Sequence, residues 1–130
     1  IVSCFGAGDY PTKSSNAVTL GTQIASFVKQ YQFDGVDIDW EDSAAFQSGD
    51  GLGEYWLSNL TATMRQALGS SYLITHAPQA PYFMGTDTYK AGGYLYVQNA
   101  VGADIDWYNV QFYNQGSSEY NTFETLFVAS

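Results

Sequence analysis

Two spacings of apolar residues alternate along the chain. Short apolar runs bounded by Gly and Pro are typical of buried strands, whereas apolar residues that recur every three or four positions are typical of helices. The runs predict strands over residues 1–5, 33–41, 72–77 and 107–113. The helical spacing predicts a helix capped by Ser14, Ser15 or Asn16, further helices over about 54–68 and 89–101, and a last helix from near Asn121, with residues 42–53 forming a loop.

The predicted order, strand and helix in alternation, indicates an α/β fold with parallel strands and right-handed crossovers. Two architectures fit this order: an open doubly wound sheet, or part of a TIM (β/α)8 barrel. In both, chemistry collects at the C-terminal ends of the strands. The nucleotide-binding signatures of the open-sheet families are missing, because Gly6-Ala7-Gly8 lacks the third glycine of a dinucleotide fingerprint and no P-loop occurs. We therefore interpret this glycine stretch as a turn.

Composition narrows the range of ligands. The formal net charge of −9 would repel nucleic acid and acidic membrane surfaces, and no apolar run reaches the roughly 18 residues that a membrane-spanning helix needs. Aromatic residues make up 17% and charged residues only 13%, which favours neutral, polar ligands with flat apolar faces. Cys4 and His76 are the single residues of their kinds, so neither a disulfide within the chain nor a Cys/His metal site is expected.

The strongest chemical signal is an acidic strand. Asp37, Asp39 and Glu41 stand at i, i+2 and i+4, so on a strand all three project to one face, while Trp40 projects to the other and is expected to pack in the core. Three neighbouring carboxylates in a dry pocket cannot all stay ionised at low cost, so one is expected to hold a proton, as a general acid must. A three-carboxylate magnesium site and a solvated acidic edge remain open as alternatives.

These residues carry a family resemblance. Residues 34–41 (DGVDIDWE) match the DGxDxDxE motif of glycoside hydrolase family 18 chitinases. Residues 77–81 (APQAP) resemble the APQCP segment of the plant and fungal class III branch, with Ala in the Cys position, and residues 111–114 (QFYN) resemble its QFYN segment. Residues 3–7 resemble the SxGG strand more loosely. The resemblance covers nearly the whole chain and implies barrel strands three to six, so that residues 1–130 form one partial (β/α)8 catalytic domain.

The resemblance also implies a mechanism without cofactor or metal, acting on chitin or N-acetylglucosamine oligosaccharides. In this family the acetamido oxygen of the substrate attacks the anomeric carbon, so no second catalytic carboxylate is required. Glu41 would protonate the leaving oxygen, Asp39 would steady the oxazolinium-like intermediate, Asp37 would share a proton with Asp39, and Tyr113 would donate its hydroxyl to the acetamido oxygen. The residues expected to line the sugar site are Gln111, Asn114, Ala77, Gln79, Gly6, Ala7 and Tyr82.

Two other functions would use the same motif: a catalytically inert chitinase-like lectin or storage protein, and an endo-β-N-acetylglucosaminidase acting on N-glycans. The intact motif favours a chitinase. A closed barrel takes about 250 residues, about twice the length of this chain, which begins at Ile1 without Met. We therefore expect the missing barrel half in the same protein or in another chain. An extracellular location is expected because chitin lies outside the cell.

Overall fold

The chain folds into one parallel sheet with helices covering one of its faces. This computed structural model describes residues 1–116 and 120–127. The four strands lie side by side in chain order. The strands are β1 (Val2–Phe5), β2 (Gly35–Asp39), β3 (Leu73–His76) and β4 (Trp107–Tyr108). The helices are α1 (Ala17–Gln30), α2 (Ser43–Gln47), α3 (Leu52–Leu68), α4 (Gly93–Val101) and α5 (Phe123–Phe127), with short 3₁₀ turns at Ala80–Phe83 and Gly102–Asp104.

The two faces of β2 differ sharply, as its alternating sequence predicts. Val36, Ile38 and Trp40 are fully buried against the helices. The Trp40 ring stacks on Trp56 with 5.0 Å between ring centroids, and its indole nitrogen donates a hydrogen bond of 2.7 Å to the Pro11 carbonyl. The core prediction for Trp40 is therefore confirmed, and the acidic side chains are left on the opposite face.

One end of each of three helices follows from local chemistry. Of the three predicted capping residues, Asn16 caps α1, because its side-chain oxygen accepts from the Thr19 amide at 2.8 Å. Helix α3 ends at Leu68, and the next residue, Gly69, caps it with a φ of 81°, in the region that favours glycine. Helix α4 starts at Gly93, later than predicted, because Gly92 with a φ of 99° lies just before it.

Two predicted segments differ from the structure. The predicted loop 42–53 contains α2, which Asp42 caps by accepting from the Ala45 amide at 3.0 Å, and in which Phe46 is fully buried. The predicted strand 107–113 has a regular ladder only over β4, although an isolated parallel bridge still joins Gln79 to Gln111. The ladder breaks here because Pro78 has no N–H to donate.

The last predicted helix begins at Phe123 rather than near Asn121. The remainder of that prediction, residues 128–130, lies outside the described residues.

His76 is a buried structural residue, as expected for a lone histidine on a strand. Its Nε2 lies 3.2 Å from the Thr61 hydroxyl oxygen, and its Nδ1 lies 3.1 Å from the Tyr94 hydroxyl oxygen. Burial lowers the pKa of His76 to about 3. The imidazole is therefore neutral at ordinary pH, and both of its nitrogens have partners.

Candidate active site

The three acidic side chains of the motif lie on the face of the sheet opposite the helices. Asp37 lies inside β2, Asp39 ends it, and Glu41 follows two residues later. Parallel pairing brings Ser3 of β1 and Thr75 of β3 level with Asp37. This polar face runs to the C-terminal ends of the strands, where barrel enzymes hold their catalytic groups.

Asp37 is enclosed by three hydrogen-bond donors. Its Oδ2 accepts from the Ser3 hydroxyl at 3.0 Å. Its Oδ1 accepts from the Thr75 hydroxyl at 2.5 Å and from the Asn109 side-chain amide at 3.0 Å. Asp37 is buried, with 9% of its surface exposed. Each of its oxygens thus has a partner on a different strand or on the segment after β4.

Asp39 has a single amide donor and two acidic neighbours. Gln111 donates to Asp39 Oδ1 from Nε2 at 2.7 Å. Burial raises the pKa of Asp39, and the negative charges of Glu41 and Asp37 raise it further. The hydrogen bond from Gln111 lowers this pKa in part, and a hydrogen bond with the Glu41 side chain raises it. Asp39 therefore keeps its proton to a higher pH than an ordinary aspartate does, which fits the prediction that one carboxyl of the array is protonated.

Glu41 and Gln79 lie beyond the C-terminal ends of β2 and β3 and are joined by a hydrogen bond. Gln79 donates from Nε2 to Glu41 Oε2 at 2.7 Å. The bridge between Gln79 and Gln111 places these two amides on adjacent segments, and Gln111 Nε2 also donates to the Ala77 carbonyl at 2.7 Å. Ala77 thus helps to orient the Gln111 side chain through its backbone carbonyl.

The turn after β1 and the segment after β4 lie at the rim of the site. Gly6 has a φ of 135°, and a Cβ built on it would lie 3.8 Å from Asp39 Oδ2, so the turn faces this carboxyl. Ala7 is exposed beside it. Tyr113 is 61% exposed, and Asn114 has a left-handed φ of 64°. All four predicted residues lie on segments that follow the strand ends.

The prediction that Tyr82 lines the sugar site is wrong. The side chain is 1% exposed and its ring lies parallel to that of Tyr94, 6.2 Å away between centroids. Its hydroxyl shares a hydrogen bond of 2.5 Å with Ser43, and burial raises the pKa of Tyr82 to about 12. The 3₁₀ turn Ala80–Phe83 rotates this ring into the aromatic core beside α2.

The sequence analysis did not identify the three residues that donate hydrogen bonds to Asp37, which are Ser3, Thr75 and Asn109. Asn109 has the same strand parity as Gln111 and Tyr113, so the sequence contained a signal for its direction. Ser3 and Thr75 needed the register of β1 and β3 against β2, which periodicity alone does not give.

The described residues hold no group of three or more His, Cys, Asp or Glu side chains arranged to bind a metal ion. In the same part of the chain, no helix is long and apolar enough to cross a membrane.

Comparison with known proteins identifies the family of this chain. Residues 10–128 match the family model described as glycosyl hydrolases family 18. The chain belongs to glycoside hydrolase family 18. This chain is similar to a GH18 chitinase from Pseudoalteromonas aurantia whose crystal structure is known. The two sequences are 40% identical, and the structures superpose with a TM-score of 0.79 over 92% of this chain and 44% of that one. Its sheet and helices are accordingly part of a (β/α)8 barrel.

Two curated proteins are similar to this family 18 chain. Endochitinase 3 of Metarhizium anisopliae is 29% identical over 90% of the chain and 40% of that protein. Chitinase ChiA of Flavobacterium johnsoniae is 28% identical over 72% of the chain and 7% of that protein. The chain thus spans less than half the length of the relatives it matches.

Proposed function

We propose that the protein containing this chain hydrolyses β-1,4 bonds between N-acetylglucosamine units of chitin, by a substrate-assisted mechanism that retains the anomeric configuration. The observation that carries the proposal is the array of Asp37 and Asp39 on β2 and Glu41 just beyond its end, in which each side-chain carboxyl accepts a hydrogen bond from a side-chain amide. Family membership and the similarity to proteins named chitinases support the same reaction.

In this proposal Glu41 is the general acid and then the general base. Its position beyond the end of β2 puts the carboxyl at the open side of the sheet, where a glycosidic oxygen can approach. Gln79 donates to Oε2, and Asp39 is hydrogen-bonded to the Glu41 side chain, so both neighbours hold the carboxyl at the position from which it would protonate the leaving oxygen. The carbohydrate supplies the nucleophile, its own acetamido oxygen, as in the substrate-assisted exceptions to the two-carboxylate scheme.

Asp39 and Tyr113 would hold the acetamido group in line for attack. A carboxyl at Asp39 can accept the acetamido N–H and offset the positive charge that develops on the oxazolinium ring. Tyr113, an exposed residue, would donate its hydroxyl to the acetamido oxygen. The hydrogen bond from Gln111 to Asp39 Oδ1 would fix the orientation of the Asp39 carboxyl. Fixing the nucleophile close to the anomeric carbon reduces the entropic part of the barrier.

The rest of the proposal concerns the complete barrel. β1 and β4 lie at the two edges of the sheet, and the polar face with the three carboxylates has no covering helix among the described elements. Free sheet edges are normally paired or covered. We therefore propose that further strands, from the same protein or from a second chain, close the barrel and complete the sugar groove. An extracellular location is proposed because the polymer substrate lies outside the cell.

The test is an assay of the intact protein isolated from its source. Incubation with colloidal chitin is expected to release soluble N-acetylglucosamine oligosaccharides, measured by chromatography and by new reducing ends. Binding to chitin with no release would contradict the proposal and indicate a lectin or storage protein. Release of glycans from an N-glycosylated protein, with none from chitin, would indicate an endo-β-N-acetylglucosaminidase instead.

A further inference from the structure

The chain leaves β1 in a backbone conformation that is costly for one of its residues. Phe5 has a φ of 80°, and Gly6 has a φ of 135°. Glycine adopts such angles freely, but a residue with a Cβ does not, so the backbone is strained at Phe5. The β1–α1 loop (residues 6–16) begins here, and Phe5 pairs in register with Asp39. Contacts with the rest of the protein must therefore hold the loop beside this carboxyl.

The first part of the β1–α1 loop lies close to the acidic strand. A Cβ built on Gly6 would lie 3.8 Å from Asp39 Oδ2. The loop has two turns of its own, closed by a hydrogen bond of 3.3 Å from the Asp9 amide to the Gly6 carbonyl and one of 3.0 Å from Ser15 to Thr12. These bonds shape the loop but do not tie it to other elements. Its position relative to Asp39 therefore depends on donors from outside the loop.

Two indoles from the helix side of the sheet bind the loop. Trp40 Nε1 donates to the Pro11 carbonyl at 2.7 Å, and Trp56 Nε1 donates to the Ser15 carbonyl at 2.9 Å. The two residues are 0% and 3% exposed, and their rings stack on each other. A buried N–H that lost its acceptor would be left unpaired, which costs more than the hydrogen bond itself contributes. Both indoles therefore hold the loop carbonyls firmly.

An ion pair also reaches the loop, but it is open to solvent. Lys13 Nζ lies 2.5 Å from Asp50 Oδ2 and donates to the Ser48 hydroxyl at 2.8 Å. The side chains of Lys13 and Asp50 are 24% and 40% exposed. Ion pairs of this kind contribute little, because water and salt screen them. The indoles are therefore the main anchors of the loop.

Trp40 also stands between two carboxyl groups of the site in the chain. Asp39 precedes it and Glu41 follows it. Its ring packs on Trp56 and meets the edge of Phe46 with 5.4 Å between centroids. The backbone between the two carboxyl groups cannot turn without moving this ring out of the core and breaking its bond to the loop.

We propose that Trp40 and Trp56 are positioning residues, whose indole N–H groups fix the β1–α1 loop against Asp39. The loop then forms a fixed wall of the sugar site beside this carboxyl. Trp40 acts through Pro11, and Trp56 acts through Ser15. The consequence for catalysis rests on the proposed function: an acetamido group bound at Asp39 keeps its orientation only while the wall keeps its place.

The first measurement is hydrogen exchange of the intact protein, followed by mass spectrometry of peptides that cover residues 6–16. The amides of Asp9 and Ser15 close the two turns, so their exchange reports release of the loop. Trp40→Phe and Trp56→Phe keep a buried aromatic ring but lose the N–H. Each is expected to speed exchange in the loop about tenfold or more, while peptides from β3 and α4 keep the unmodified rate.

Tyr94→Phe is the matched control, because it removes a buried hydroxyl that pairs with His76 and not with the loop. Asp50→Asn tests the exposed ion pair, and both variants are expected to change loop exchange by less than about twofold. The proposal is overturned if neither indole variant releases the loop, or if Tyr94→Phe or Asp50→Asn releases it as much. Because either indole variant alone can show release, the test holds if the other fails to fold.

Steady-state kinetics on a soluble chitin oligosaccharide separate this proposal from the proposed function. Trp40→Phe is expected to lower kcat about tenfold with KM within threefold, because a released wall holds the reacting groups less precisely. Tyr94→Phe should stay within about twofold in both. Loop release in a protein that never cleaves chitin would refute the proposed function and leave the anchoring of the loop standing. An unchanged kcat in a protein with a released loop would overturn the positioning role alone.

Discussion

Replacing Glu41 with Gln is expected to lower chitin hydrolysis by the intact protein about 1,000-fold, within the range that general acid catalysis contributes. The amide has nearly the same shape and can still meet Gln79, but it has no proton to give to the leaving oxygen. The acetamido oxygen would then have to expel an unprotonated sugar oxyanion. Initial rates on a soluble chitin oligosaccharide measure the loss, and binding of the same oligosaccharide should change little.

The control for this variant lies on the same segment. Asp34→Asn makes the same carboxyl-to-amide change on an exposed residue just before β2, at the opposite end of the strand. Its rate is expected to stay within twofold of the unmodified protein. If Glu41→Gln keeps a rate similar to that of Asp34→Asn, Glu41 is not the acid and the site must be reassigned.

Asp39→Asn is expected to reduce kcat by about 100-fold, because the charge that Asp39 supplies to the developing oxazolinium ion is lost. Gln111 can still donate to the amide oxygen of this variant, so the local packing is preserved. The dependence of kcat on pH is also expected to change, because the ionisation of Asp39 no longer contributes to it in the variant. The pKa of Asp39 is raised by burial and by Glu41 and Asp37, so this ionisation lies above that of an ordinary aspartate.

A pH series of kcat for the unmodified protein and the variant provides the measurement. Asp87→Asn, a change on an exposed loop after β3, serves as the control and should leave both the rate and the profile unchanged. A kcat for Asp39→Asn within threefold of the unmodified value would contradict the role assigned to this carboxyl.

Several features of the site were predictable because they depend on one strand only. The alternation of Asp37, Asp39 and Glu41 with Val36, Ile38 and Trp40 is a property of extended backbone, and the structure has the apolar set buried as predicted. The gathering of chemistry at the strand ends follows from parallel order, which the alternation of strand and helix already indicates.

Other features depend on contacts between segments, and sequence patterns do not encode these directly. The donors to Asp37 come from β1, β3 and the segment after β4, so finding them requires the register of all four strands. Tyr82 was misassigned because an aromatic residue after a strand can turn to the groove or to the core. Here its hydroxyl meets Ser43 of α2, a helix that the pattern of residues 42–53 did not predict.

The anomeric form of the first product tests the central claim most directly. In the proposed mechanism the acetamido oxygen and then water attack from opposite faces, so the new reducing end retains the β configuration. Proton NMR of a chitin oligosaccharide mixed with the intact protein, recorded before mutarotation equilibrates the product, distinguishes the two anomers. We predict that the β anomer appears first. An initial α product would mean direct attack by water with inversion, and would contradict the roles proposed here for Asp39, Glu41 and the acetamido group.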